Sequence, residues 1–157
     1  GIDTVKAAGV LSTIGGVSMF GRLTVGIAID RIGNKRCLMA CLMILIISFL
    51  WLNRASGIWM MYGFAAIYGI AHGGIFTVIS PIVAELFGIR SHGAFFGIVA
   101  FGGTLGGAVG PVLAGLVYDV THSYQLIFLS LVALAAVSLI LTGLLKPAIP
   151  EAFQARA

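Results

Sequence analysis

The sequence predicts an all-α, polytopic membrane bundle of five transmembrane helices, and three observations carry that prediction. Of 157 residues, 60% are hydrophobic and 9% charged, whereas a soluble domain carries about 25% charged residues. The mean hydropathy is +1.13. The apolar residues fall in long blocks, each near or above the roughly 18 residues that mark a bilayer span.

The elements follow in order. The first block runs from Ala7 to Ile29 and holds one charge, Arg22. At a rise of 1.5 Å per residue it reaches about 35 Å, enough to cross with some tilt. The second, Cys37 to Leu52, is short and rich in Leu, Ile and Met. The third, Ile58 to Val83, precedes a polar stretch from Ala84 to His92. The fourth, Gly93 to Val117, is dense in glycine, and the fifth, Tyr124 to Leu145, stops at Lys146 and Pro147. Barrel strands alternate polar and apolar residues, and none of these blocks does, which leaves helices. The five blocks form a single membrane domain over residues 1–157. The chain starts with Gly1, and its first block is too long for the apolar part of a signal peptide. The expectation is a piece of a longer protein.

The net charge of +4 does not point to nucleic acid, because the basic residues form no stripe with interleaved aromatics. They lie between the apolar blocks, so the partner they imply is the lipid bilayer. Arg31, Lys35, Arg36, Arg90, Lys146 and Arg156 share one side, and Lys6 and Arg54 the other. The positive-inside rule makes the first side, with the C-terminus, cytoplasmic in a cell (inner or plasma) membrane. Cys37 and Cys41, one helical turn apart, match no zinc or redox spacing and read as packing residues. No metal or cofactor is expected.

Glycine is unevenly spread. The second block has none and the fifth only Gly143, whereas the first, third and fourth hold four or more each. Small residues at four-residue spacing let helix backbones approach. The stripe Gly102, Gly106, Gly110 and Gly115, beside Pro111, is therefore a packing surface. Helices one, three and four are expected inside the bundle, with two and five facing lipid. Pairing one with four and two with five gives an approximate internal repeat, as in secondary transporters.

The strongest local feature is the turn Gly26, Asp30, Arg31, Gly33, Lys35 and Arg36. Gly33 permits a conformation that L side chains avoid. Asp30, at a helix C-terminus, faces the wrong end of the dipole and needs Arg31 or a helix N-terminus as partner. This pattern resembles the cytoplasmic-loop motif of the major facilitator superfamily, G-x-x-x-D-R-x-G-x-[RK]-[RK]. The later residues Pro81, Glu85, Gly88, Arg90, Gly106, Gly110, Pro111, Gly115, Asp119 and Tyr124 resemble the monocarboxylate and oxalate–formate branch. The resemblance implies helices eight to twelve of a twelve-helix fold, a partial C-terminal half. It also implies that the N-terminal half of the transporter is the missing partner.

Arg22 lies about 15 residues into its 23-residue block. A charge at a helix centre costs roughly 2.5–3.5 kcal/mol on insertion scales. Ile29 is seven residues on, about 10 Å, a long way for an arginine to snorkel. A guanidinium offers a planar fork matched to a carboxylate, and an arginine at a similar position in the monocarboxylate branch binds the substrate carboxylate. Ser18, one turn earlier, stands where some members carry a proton-coupling aspartate, and it cannot titrate. The fourth block has no lysine to supply a second, oxalate-type cation. His72 falls at similar depth on the third helix, where it can relay a proton, bind a substrate oxygen or make an interhelical hydrogen bond. Tyr68 is one turn earlier on the same face.

The reading is thus a secondary active transporter of small organic anions such as monocarboxylates, with Arg22, Ser18, His72 and Tyr68 as substrate-binding residues. A non-transporting membrane assembly or receptor subunit would not need an arginine at cavity depth. An integral membrane enzyme would want a nucleophile–base pair or clustered carboxylates, and the acids here are scattered.

Overall fold

A computed structural model describes residues 3–145. They form five helices: α1 (Thr4–Ile32), α2 (Asn34–Asn53), α3 (Ile58–Phe87), α4 (His92–Thr121) and α5 (Gln125–Leu144). All five are long and apolar enough to cross a membrane. The helices outrun the apolar blocks because polar residues serve their ends. The Asp3 side chain caps α1 by accepting from the Val5 N–H. Glu85, in the stretch expected to lie outside the third span, is helical and accepts from Asn34 Nδ2 at 2.7 Å. At 29 and 30 residues, α1, α3 and α4 are about 45 Å long. They must tilt in, or project from, a hydrocarbon core about 30 Å thick.

One residue separates α1 from α2. Gly33 adopts φ 84°, ψ 159°, open to glycine alone, and its N–H still closes α1 onto the Ile29 carbonyl at 2.9 Å. Gly88 repeats the conformation after α3, with φ 80° and ψ 164°.

The tightest seam joins α1 and α3, which run parallel. It is a backbone-to-backbone contact. A Cβ added at Gly21 would lie 2.6 Å from the Ile70 carbonyl oxygen, and one at Gly73 would overlap the Ser18 carbonyl. On its other side α3 meets α2, where Cys37, Val78 and Ile82 form the buried core. At the three-helix junction Gly74 leaves room for both Val25 of α1 and Cys41 of α2. Both cysteines are free and buried.

Glycine content does not by itself decide which helices pack against one another among the described residues. α2, expected to face lipid, buries Cys37, Cys41, Leu42 and Ser48, and α5 rests on it. α4, expected inside, has no buried residue. A Cβ at Gly102, Gly106, Gly110 or Gly115 would meet nothing within 4 Å among the described residues. The physical reason is the position of α3, which fills the groove between α1 and α2. Between α4 and α5 an apolar groove of about 530 Å³ stays open, lined by Gly110, Leu113, Val117, Ile127 and Leu131 among others.

Candidate anion site

The α1–α3 seam fixes where Arg22 sits. It follows Gly21 by one residue, about 100° round the helix, so its side chain leaves the seam at the edge and is exposed. Its guanidinium carbon lies 5.8 Å from the centre of the Phe76 ring, within range of a cation–π contact. Phe76 begins an aromatic ladder up α3. His72 meets it edge-on at 4.9 Å, Tyr68 stacks on His72 at 5.3 Å, and Phe64 lies 5.3 Å from Tyr68. Phe49 of α2 reaches Tyr68 at 5.9 Å.

The structure therefore brings Arg22, His72 and Tyr68 into one line. Ser18 is placed differently. It is buried in the seam against Gly73, and its hydroxyl donates to the Gly15 carbonyl of its own helix at 2.9 Å. His72 Nδ1 is buried and has no hydrogen-bond partner among the described residues.

Arg22 has no acid at its own depth on these two helices. Asp30 is eight residues along α1 and Glu85 nine residues beyond Phe76 on α3, about 12–14 Å along the axes. Asp3 is at the far end of α1. An exposed guanidinium with a free face can grip a carboxylate through two parallel N–H···O bonds. Among the described residues no group of three or more His, Cys, Asp or Glu side chains is placed to hold a metal ion.

The turn motif does separate work. Lys35 Nζ donates to the carbonyls of Gly143 and Leu145, at 2.7 and 2.8 Å, so a cation caps the C-terminus of α5 as the helix dipole favours. Asn34 ties the start of α2 to Glu85. Gly26 lies 4.0 Å, measured from an added Cβ, from a Thr77 methyl. Asp30, Arg31 and Arg36 are exposed. Sequence reasoning missed Phe76, Phe49 and Asn34. The signal for Phe76 was available, since Phe64, Tyr68, His72 and Phe76 recur at four-residue spacing, which is one helix face.

Comparison with known proteins adds a family. The family described as Major Facilitator Superfamily matches residues 3–155. Among curated relatives, human "Monocarboxylate transporter 7" is 28% identical over 151 residues, covering 94% of this chain and 29% of the relative. "Monocarboxylate transporter 12" of Rattus norvegicus is 28% identical over 133 residues, or 82% of this chain and 27% of the relative. "MFS-type efflux transporter pyiT" of Pyricularia grisea is 37% identical over 65 residues, 41% of this chain and 11% of the relative. The chain thus spans less than a third of the length of these relatives.

Proposed function

We propose that this chain, which belongs to the Major Facilitator Superfamily, forms part of a secondary carrier that moves small organic anions, monocarboxylates in particular, by alternating access. Its membership and its five apolar helices make it an integral membrane protein. The observation that carries the substrate class is Arg22, a mid-helix cation exposed on α1 whose depth holds no acid on α1 or α3. Such a charge is tolerated where it faces a cavity or a partner, and a carboxylate substrate is that partner here. The names of the monocarboxylate transporters that the chain resembles support the same class.

The remaining features fit a part of a larger carrier. The stripe Gly102, Gly106, Gly110 and Gly115 beside Pro111 is the surface on which the rest of the carrier packs. One of its helices enters the α4–α5 groove as α3 enters the groove of α1 and α2. The side carrying Arg31, Lys35, Arg36 and Arg90 is cytoplasmic, as the excess of basic residues there requires.

The test uses the full-length carrier, with thermal stabilisation by small carboxylates and uptake into proteoliposomes. Arg22→Ala should insert normally and bind carboxylates about 10- to 100-fold more weakly, the loss of a charge-assisted bidentate pair. Arg22→Lys should retain part of the binding, since a point charge replaces the fork. An Arg22→Ala protein that binds its carboxylate as well as the parent removes Arg22 from the site. A variant that fails to insert assigns it a structural acid instead.

A further inference from the structure

One end of the bundle carries charge that the fold does not use. The α1–α2 turn supplies Arg31, Lys35 and Arg36, and the α3–α4 turn supplies Arg90. Two contacts bring these turns together. Asn34 Nδ2 donates to Glu85 of α3 at 2.7 Å, and Phe87 of α3 stacks on Phe95 of α4 with centroids 4.2 Å apart. Lys35 is engaged by the carbonyls at the end of α5. Arg31, Arg36 and Arg90 are exposed, and none of the three has a hydrogen-bond or ion-pair partner among the described residues. The acids at this end are Asp30 and Glu85, so among the described residues it is net positive.

The neighbours of the arginines select one kind of anion. Ile32 follows Arg31, and Phe87 and Ile89 precede Arg90. All three apolar side chains are exposed, Ile89 at 78%. Cations interleaved with exposed apolar side chains suit the boundary between hydrocarbon and headgroups. There the stem of an arginine lies on apolar surface while its guanidinium reaches the polar layer. A soluble anion gains nothing from the apolar members. The depth agrees, because α1 and α3 are about 45 Å long against a hydrocarbon core of about 30 Å, which brings their ends into the headgroup layer. A guanidinium also matches a phosphate in geometry. Topology requires cations on this side. It does not require that two turns far apart in sequence hold them on one surface beside exposed isoleucine and phenylalanine.

We propose that Arg31, Arg36 and Arg90 form a binding surface for anionic phospholipids, whose phosphates take the guanidinium groups while their chains lie against Ile32, Phe87 and Ile89. Lipid held there bridges the α1–α2 turn and the α3–α4 turn. The surface is separate from Arg22, which lies nine residues before Arg31, about 13 Å along α1, and it is independent of the solute the carrier moves.

The experiment places the full-length carrier in mixed vesicles of phosphatidylcholine and phosphatidylglycerol. A fluorophore on a cysteine at Gly93 reports the lipids beside this end. No described residue lies within 4 Å of an added Cβ there, and Cys37 and Cys41 are buried. Brominating one lipid or the other quenches the fluorophore, and comparing the two gives the local enrichment of phosphatidylglycerol over bulk. The expected enrichment is about 5-fold, the worth of one cation near an anionic surface, falling towards one at about 1 M salt, where the screening length is ~3 Å. The triple variant Arg31→Gln, Arg36→Gln, Arg90→Gln should bring it to about one. Lysine at the same three positions should retain most of it, and Arg54→Gln at the opposite end should leave it unchanged. If the triple glutamine variant does not insert, the three single variants read the same ratio, each lower by about 1.7-fold as an equal share of the whole. A parent ratio near one overturns the proposal, as does a ratio unchanged in the glutamine variants. Soluble glycerophosphoglycerol, the headgroup without chains, separates lipid from free phosphate. If it competes at millimolar concentration the apolar side chains take no part, and the lipid assignment falls. None of these failures touches the reading of Arg22.

Discussion

Replacing Gly21 with alanine tests the α1–α3 seam most directly. The added Cβ would lie 2.6 Å from the Ile70 carbonyl oxygen and 2.9 Å from its Cα. Comfortable carbon contacts begin near 3.5 Å, so the two helices must part by about 0.5–1 Å. Both obstructing atoms are backbone, and no rotamer change relieves them. A radial gap of that size forfeits a quarter to a half of each dispersion contact along the seam. Overpacking of this kind costs about 1–3 kcal/mol, and rigid backbone on both sides places it near the top of that range. Alanine returns up to about 1 kcal/mol through helix propensity. The net is about 2 kcal/mol, or roughly 2 °C in melting temperature for a protein some three times this length, measured on the purified full-length carrier. Gly143→Ala is the control, since nothing among the described residues lies within 4 Å of its added Cβ, and it should melt unchanged or slightly higher. If Gly21→Ala melts with the control, the seam is not a backbone contact and the reasoning fails.

Three further expectations follow from the turns and helix ends. Gly33→Ala forces a side chain into φ 84° at about 1–3 kcal/mol; it should lower melting temperature where Gly57→Ala, at φ −145°, does not. Lys35→Ala removes both bonds to the end of α5, worth about 0.3–1 kcal/mol. Amide exchange at Gly143–Leu145 should therefore quicken with little change in melting, and unchanged exchange refutes the cap. For orientation, a cysteine at Ile89, which is 78% exposed, should resist an impermeant thiol reagent in intact cells and react in inverted vesicles. Cys37 and Cys41 are buried and give a low background; labelling in intact cells reverses the assignment.

The five helices were legible because hydropathy is a property of each segment alone. The turn at Gly33 was legible for a similar reason, since one glycine between two helices must supply the unusual backbone angles. Helix ends were less so. Glu85 reads as polar and outside a span, yet it continues α3 because Asn34 reaches it from α2, a partner 51 residues away. Packing was the least legible level. Gly69 and Gly73 face the backbone of α1, whereas Gly106 and Gly110 face nothing among the described residues. The spacing is the same in both cases, and only the presence of a partner helix separates them. Within the candidate site, Arg22 stood out because a lone charge in an apolar block is conspicuous. Phe76 did not, because an aromatic in such a block is ordinary until a cation is placed over it.

The seam does more than hold two helices together, because it sets their register. Along it Gly9 opposes Tyr62, Val17 opposes Gly69, Ser18 opposes Gly73 and Gly26 opposes Thr77. The helices are parallel, and the partner's number exceeds its opposite by 51 to 55 in these pairs and by 49 at Gly21–Ile70 and Val25–Gly74. Carried on to Arg22, that register reaches the turn of α3 that bears Phe76, the ring its guanidinium covers. The depth of the cation relative to the ladder is thus fixed by glycines that touch neither. A shift of one residue would move α3 about 1.5 Å along the axis and about 100° round it. Phe76 would then turn away from Arg22, and the two halves of the site would no longer face the same space. The small residues of α1 and α3 are therefore constrained twice: by the overlap a methyl group would create, and by the alignment of the cation with the rings.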